Sequence, residues 1–144
     1  NVLSQAGLDS IKNDEELRLN RYDDGTGGIT IGWGHLILPG EYFIDPISVE
    51  RATQLLRTDL ARSENAINQF VNVPLSQNQY DALVSFVFNI GVGAFRKSTM
   101  LDMINNNDFE NAANEFKRWK YSKGKILVGL INRRRREKNM FMRA

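Results

Sequence analysis

Leu8 and Ile11 stand three residues apart near the start of the chain, and Glu15 follows four later on the same helical face. With Ser4 as a cap, this spacing predicts a helix over about 4–15 whose last turn directs a carboxylate toward the apolar side, where glutamates are seldom found. Between 19 and 38 the period shortens. Gly25, Gly27 and Gly28 mark a tight turn between two short strands, and the second, 29–35, alternates. Ile29, Ile31 and Trp33 form a packing face on one side, while Thr30, Gly32 and Gly34 carry a single hydroxyl on the other. Glycines in a strand mark the close approach of a ligand or of another backbone.

Pro39-Gly40 and Asp45-Pro46 then break the chain. A long helix is expected over 48–70, with Val49, Ala52, Leu56, Leu60 and Ile67 as its apolar stripe. After Pro74, Ser76 and Gln79 have the spacing of a capping box. The helix they open, ending near Ile90, is apolar nearly all round through Ala82, Leu83, Phe86 and Val87, as a central core helix would be. Gly91 and Gly93 end it, and shorter helices follow over 98–105, 108–121 and 128–142. The expected fold class is α+β in one domain. A small sheet lobe (15–47) leads through a connecting helix (48–70) into a helical lobe (71–144), on which the N-terminal helix packs. A cleft between the lobes is the natural place for a site.

Composition narrows the chemistry. The 144 residues are 42% hydrophobic, enough for one packed domain. No apolar run approaches the roughly 20 residues of a membrane span, and no signal-like segment opens the chain. The absence of cysteine excludes disulfides, thiolate metal sites and cysteine catalysis, and suits synthesis in a reducing compartment. His35 is the single histidine, so a zinc centre is not expected; no metal and no cofactor are implied. A Ser-His-Asp triad would need His35, and there is no GxSxG elbow. The net charge is only +2, but the cations crowd late in the chain: Lys117, Arg118, Lys120, Lys123 and Lys125, then Arg133–Arg136, Lys138 and Arg143. Such a surface favours polyanions: nucleic acid, anionic lipid or an acidic cell wall. The arginine run lacks interleaved aromatics and no nucleic-acid motif accompanies it, so nucleic acid is not the expected partner.

Cleavage of a glycosidic bond needs two carboxyl groups in different environments, one protonated and one ionised. Glu15, Glu16, Asp23 and Asp24 lie close in sequence. Helical phase selects Glu15 over Glu16 as a carboxyl that burial at a helix end would raise in pKa, fitting an acid. Asp23 and Asp24, in the turn-rich segment, are both candidates for the ionised partner.

The stretch Asp14-Glu15-Glu16-Leu17-Arg18-Leu19, then Tyr22, Asp24 and Gly28-Ile29-Thr30-Ile31-Gly32-Trp33-Gly34-His35, closely resembles the phage-type lysozymes, glycoside hydrolase family 24. The active-site pattern of that family, a glutamate, eight residues, an aspartate or cysteine, five residues and a threonine, falls without a gap on Glu15, Asp24 and Thr30. The segment 74–83, Phe88-Asn89-Ile90-Gly91, Trp119, Gly129-Leu130 and the arginine run with Glu137 extend the resemblance over nearly the whole chain. It implies a lysozyme-like fold and hydrolysis of the β-1,4 bond between N-acetylmuramic acid and N-acetylglucosamine in peptidoglycan, with inversion. Glu15 would protonate the leaving oxygen, and Asp24 and Thr30 would hold and polarise the attacking water or stabilise the oxocarbenium-like state. Leu36, Phe88, Ser98 and, less strongly, Asn89 match positions that contact saccharide. Arg133 is the arginine expected to reach Glu15, with Arg134 and Arg136 as alternatives. His35 is expected to pair with Asp59 in a structural role, and Trp33, Phe95 and Trp119 to serve as core. The resemblance further implies a monomer made in a host cytoplasm that gains the peptidoglycan of the periplasm or wall through a holin. The alternatives are a lytic transglycosylase, which uses a lone acid, and a wall-binding module without catalysis.

Overall fold

A computed structural model describes residues 1–143 other than Asp24 and Thr26. The chain divides into two compact units, Asp9–Ala61 and a second made of Asn1–Leu8 with Arg62–Ala144. The division falls within α1 (Gln5–Asp14) and within α2 (Val49–Phe70).

In α1, the Ser4 hydroxyl accepts the Gly7 N–H at 3.0 Å, satisfying one of the open donors of the first turn. Leu8 and Ile11 are fully buried. The Glu15 N–H donates to the Ile11 carbonyl at 3.1 Å, so Glu15 is the first residue beyond the helix. Next come β1 (Arg18–Asp23), β2 (Ile29–Gly32) and β3 (His35–Leu36), an antiparallel sheet in that order. Tyr22 and Leu36 both lie opposite Thr30, and His35 lies opposite Ile31.

The single alternating strand expected over 29–35 is instead a hairpin. Gly32 and Gly34 adopt φ of +71° and +81°, which reverses the chain around Trp33. Ile31 and Trp33 are buried, but Ile29 is 43% exposed and does not join a packing face. A Cβ on Gly32 would stand 3.5 Å from the Ala52 Cβ, so this turn lies close on α2. The buried stripe of α2 begins at Ala52 and includes Leu55, Leu56, Leu60, Ala66 and Ile67. Val49, expected in the stripe, is exposed on the first helical turn.

In the second unit, α3 (Gln77–Ile90) opens on a complete capping box. The Ser76 hydroxyl accepts the Gln79 N–H at 3.1 Å, and the Gln79 side-chain Oε1 accepts the Ser76 N–H at 2.8 Å. Every residue from Tyr80 to Val87 is buried. Asp81 ties the N-terminus down, accepting the Ser4 N–H at 3.0 Å, the Ser4 hydroxyl and the Gln77 amide. Gly7 is required here, because a Cβ would come within 2.7 Å of the Asp81 Cγ.

After Gly91 the chain continues directly into α4 (Val92–Arg96), then α5 (Thr99–Asn105) and α6 (Phe109–Glu115). The helix expected over 108–121 stops early. A 3-10 turn, Phe116–Arg118, leads into a second hairpin of β4 (Tyr121–Ser122) and β5 (Lys125–Ile126) before α7 (Val128–Met142). Phe86 packs edge-on against Phe116 and Trp119 at 5.0 and 5.8 Å, and Phe116 meets Phe141 at 5.5 Å. Phe95 is fully buried and Trp119 half-buried. Among the described residues, no helix is long and apolar enough to cross a membrane.

Candidate active site

Glu15, Thr30, Leu36, His35 and Asp59 belong to the unit 9–61, whereas Phe88, Asn89, Ser98 and Arg133 belong to the other. Asp24 lies outside the described residues.

Glu15 is half-buried and Glu16 exposed, the division that helical phase predicts. Glu16 pairs instead with Arg18 at 3.3 Å on the surface. The Glu15 carboxylate faces the glycine hairpin: a Cβ on Gly34 would stand 3.9 Å from Oε2. One turn back on α1, Lys12 lies over the Trp33 ring at 4.6 Å and donates to the Thr53 hydroxyl at 3.2 Å, which holds the end of α1 beside the same turn.

Thr30 is 5% exposed, and its hydroxyl has no hydrogen-bond partner among the described residues. A buried hydroxyl left unpaired costs about 1–3 kcal/mol, so such a group marks a place where a water or ligand completes the bonding. Asp23, the rival of Asp24, has its carboxylate occupied: it accepts the Gly25 N–H at 2.8 Å and shapes the turn.

His35 is buried between two carboxylates. Its Nδ1 stands 2.9 Å from Asp59 and its Nε2 3.1 Å from Glu41. Glu41 is a partner that sequence reading missed; it also accepts the Leu38 N–H at 2.7 Å, closing a loop too irregular to carry a periodic signal. Burial lowers the imidazole pKa, but hydrogen bonds to and charges on Asp59 and Glu41 outweigh it and leave the value raised. Glu41 is lowered, first by the Leu38 N–H and then by His35. Asp59 is raised because burial outweighs the pull of His35. His35 and Glu41 thus favour their charged forms, and Asp59 tolerates its charge through His35.

This cluster gives a pH signature. His35 titrates above its ordinary value of 6.5 when folded, so its stabilisation is fully present below about pH 6.5 and is lost as pH rises through the folded value. His35→Asn is expected to cost about 2 kcal/mol near pH 6. The difference in melting temperature from wild type should shrink between pH 6 and 9, and a pH-independent difference would exclude an ion-paired His35.

In the second unit, Phe88 is half-buried and Asn89 exposed, the Asn89 side-chain Oδ1 accepting from Arg134 Nη2 at 2.9 Å. Ser98 caps α5: its hydroxyl accepts the Leu101 N–H at 3.1 Å and donates to the Phe95 carbonyl at 2.7 Å. Of the arginine run, Arg133 and Arg134 are buried and Arg135 and Arg136 exposed. Arg133 Nε stands 3.2 Å and Arg134 Nε 2.8 Å from Glu137, whose carboxylate also accepts the Ser85 hydroxyl at 2.5 Å. Arg133 further donates to the Ser85 carbonyl at 3.3 Å. Among the described residues, no group of His, Asp and Glu is placed to hold a metal ion.

The family described as phage lysozyme matches residues 12–137. The endolysin of Salmonella phage P22 is 42% identical over 97% of both chains. That of Bacillus phage B103 is 39% identical over 97% of this chain, which spans only 54% of that relative's length. Among solved structures, the muramidase domain of SpmX from Asticaccaulis excentricus superposes with a TM-score of 0.90 at 37% identity, covering 100% of this chain and 99% of that one. A P22 lysozyme variant gives 0.89 at 39% identity, covering 99% of each. With the match running through Glu15, Thr30 and Glu137, the chain belongs to the phage lysozyme family.

Proposed function

We propose that this chain is a muramidase of the endolysin type, which hydrolyses the β-1,4 bond between N-acetylmuramic acid and N-acetylglucosamine in peptidoglycan. The observation that carries this reading is the pairing, within one small unit, of a half-buried carboxylate facing a glycine turn with a buried hydroxyl that lacks a partner. The names of the relatives, endolysin and muramidase domain, agree with it.

Glu15 donates its proton to the leaving glycosidic oxygen. Gly34 presents bare, exposed backbone beside the Glu15 carboxylate, so the saccharide can approach there without displacing a side chain. Thr30, with Asp24, orients a water for attack on the anomeric carbon from the opposite face, and the reaction inverts the configuration. Leu36, exposed at the sheet edge, and Phe88, Asn89 and Ser98 supply saccharide contacts. The enzyme works as a monomer, without metal or cofactor. In a phage life cycle it is made in the host cytoplasm and reaches the wall with help from a holin.

Mass spectrometry of the fragments tests the reaction class. Purified peptidoglycan treated with the protein is expected to yield hydrated muramic acid reducing ends. Anhydro ends would assign a lytic transglycosylase, and no soluble fragments a wall-binding module. Thr30→Val tests the water site separately. It removes the unpaired hydroxyl at constant shape, so stability should hold or rise while the cleavage rate falls roughly 100-fold. Loss of stability with unchanged rate would make Thr30 a packing residue only.

A further inference from the structure

The cations of this chain are segregated. Nine of the 19 Lys and Arg residues fall within 117–136, a window without Asp or Glu, so the rest of the chain is net acidic despite the overall charge of +2. Two of the nine, Arg133 and Arg134, are buried against Glu137, and Arg118 pairs with Glu115. Lys117, Lys123, Lys125 and Arg135 form no ion pair among the described residues. Lys117, Lys120, Arg135 and Lys138 border one hollow of about 260 Å³, a size that admits a phosphate group.

Lys120, on the rim of this hollow, leads directly into the hairpin of β4 and β5, which is exposed along its whole length, as are the residues that follow it to Gly129. It does not look like a solvated charged loop, because apolar side chains interleave with the lysines. Ile126 is 53% and Val128 71% exposed, and Tyr121 and Leu127 are exposed with them. The turn carries Lys123 at φ +51°, a left-handed conformation that Asn or Gly adopts more readily. A strained lysine at a hairpin tip, between exposed apolar residues and unpaired cations, points to something outside the fold.

We propose that this hairpin and the basic hollow beside it form a peripheral docking face for an anionic phospholipid surface. Charge complementarity selects the lipid headgroups. The apolar residues distinguish a bilayer from a soluble polyanion, because they gain only where an acyl boundary receives them. The face lies on the interface and spans nothing. It would hold the protein at a membrane independently of its action on peptidoglycan.

Vesicle sedimentation tests this with the full chain. Binding is expected to vesicles of phosphatidylcholine with about 30% phosphatidylglycerol and not to pure phosphatidylcholine, and it should weaken steeply with salt. Lys123→Glu with Lys125→Glu is expected to weaken it at least about tenfold. Ile126→Ser with Val128→Ser, which leaves every charge in place, should weaken it about threefold or more. All four positions are exposed, and far-ultraviolet circular dichroism verifies folding. Equal binding to both vesicle types, or none, overturns the proposal. So does an apolar pair variant that binds like wild type; competition by duplex DNA would then identify the face as a general polyanion site. Loss of binding to purified peptidoglycan alone would assign the face to the wall.

Discussion

Replacing Glu15 by Gln is expected to lower the rate of peptidoglycan cleavage by about 10²–10⁴-fold, the contribution of a general acid, while the protein stays folded. The amide has the same size as the carboxyl and no proton to give. Its backbone is held by the last hydrogen bond of α1, from the Glu15 N–H to the Ile11 carbonyl, which the substitution leaves intact. The facing turn has no side chain at Gly34 to clash with it. Glu16→Gln is the control: that carboxylate is exposed and, among the described residues, pairs with Arg18, a surface pair worth about 0–1 kcal/mol, so activity and stability should both be unchanged. Turbidity loss of permeabilised Gram-negative cells reads the effect directly. A Glu15→Gln variant as active as wild type would remove the acid from the mechanism. Equal losses at Glu15 and Glu16 would show that local charge matters and a specific proton donor does not.

The difference in burial between Glu15 and Glu16 was legible because it depends on a local period. Leu8, Ile11 and Glu15 follow one helical face, and the side of the helix that a residue occupies needs no tertiary information. The capping box at Ser76 and Gln79 was legible for the same reason. The hairpin around Trp33 was not. Alternation of apolar and small residues reads as one strand whether or not the chain reverses, and only the positive φ of Gly32 and Gly34 decides the matter. The second hairpin escaped because Lys123 occupies a turn position that Asn would have advertised. The second carboxylate on His35, from Glu41, comes from a loop without periodicity, where side-chain direction has no sequence signal.

The arginine run shows a deeper limit. From sequence, Arg133 reads as the arginine that reaches Glu15 and the rest of the run as a solvated basic face, and of that rest only Arg135 and Arg136 remain exposed. What buries Arg133 and Arg134 is a set of partners on α3, Ser85 and Asn89, more than 40 positions away in sequence, together with Glu137 on their own helix. Glu137→Ala is therefore the substitution with the largest expected effect on stability. Burial raises the pKa of this carboxyl, against the opposing charges of Arg134 and Arg133 and the Ser85 hydroxyl, so the site is tolerable only as a complete set. Removing the carboxylate takes a shared ion-pair partner from two buried guanidiniums, one of them stacked on the Phe86 ring at 5.1 Å, and deprives the Ser85 hydroxyl of its acceptor. Breaking a buried pair in this way costs about 3–5 kcal/mol, which is a large part of the 5–15 kcal/mol available to a domain. Denaturant melts of the single variants and of Glu137→Ala with Arg134→Met separate charge from packing. If the lost ion pairing dominates, the second substitution should recover part of the loss, because it removes a buried cation whose Glu137 carboxylate is gone. Additive losses would instead mean that Glu137 acts through packing, and a loss below about 1 kcal/mol would mean that the arginines reach water once it is gone.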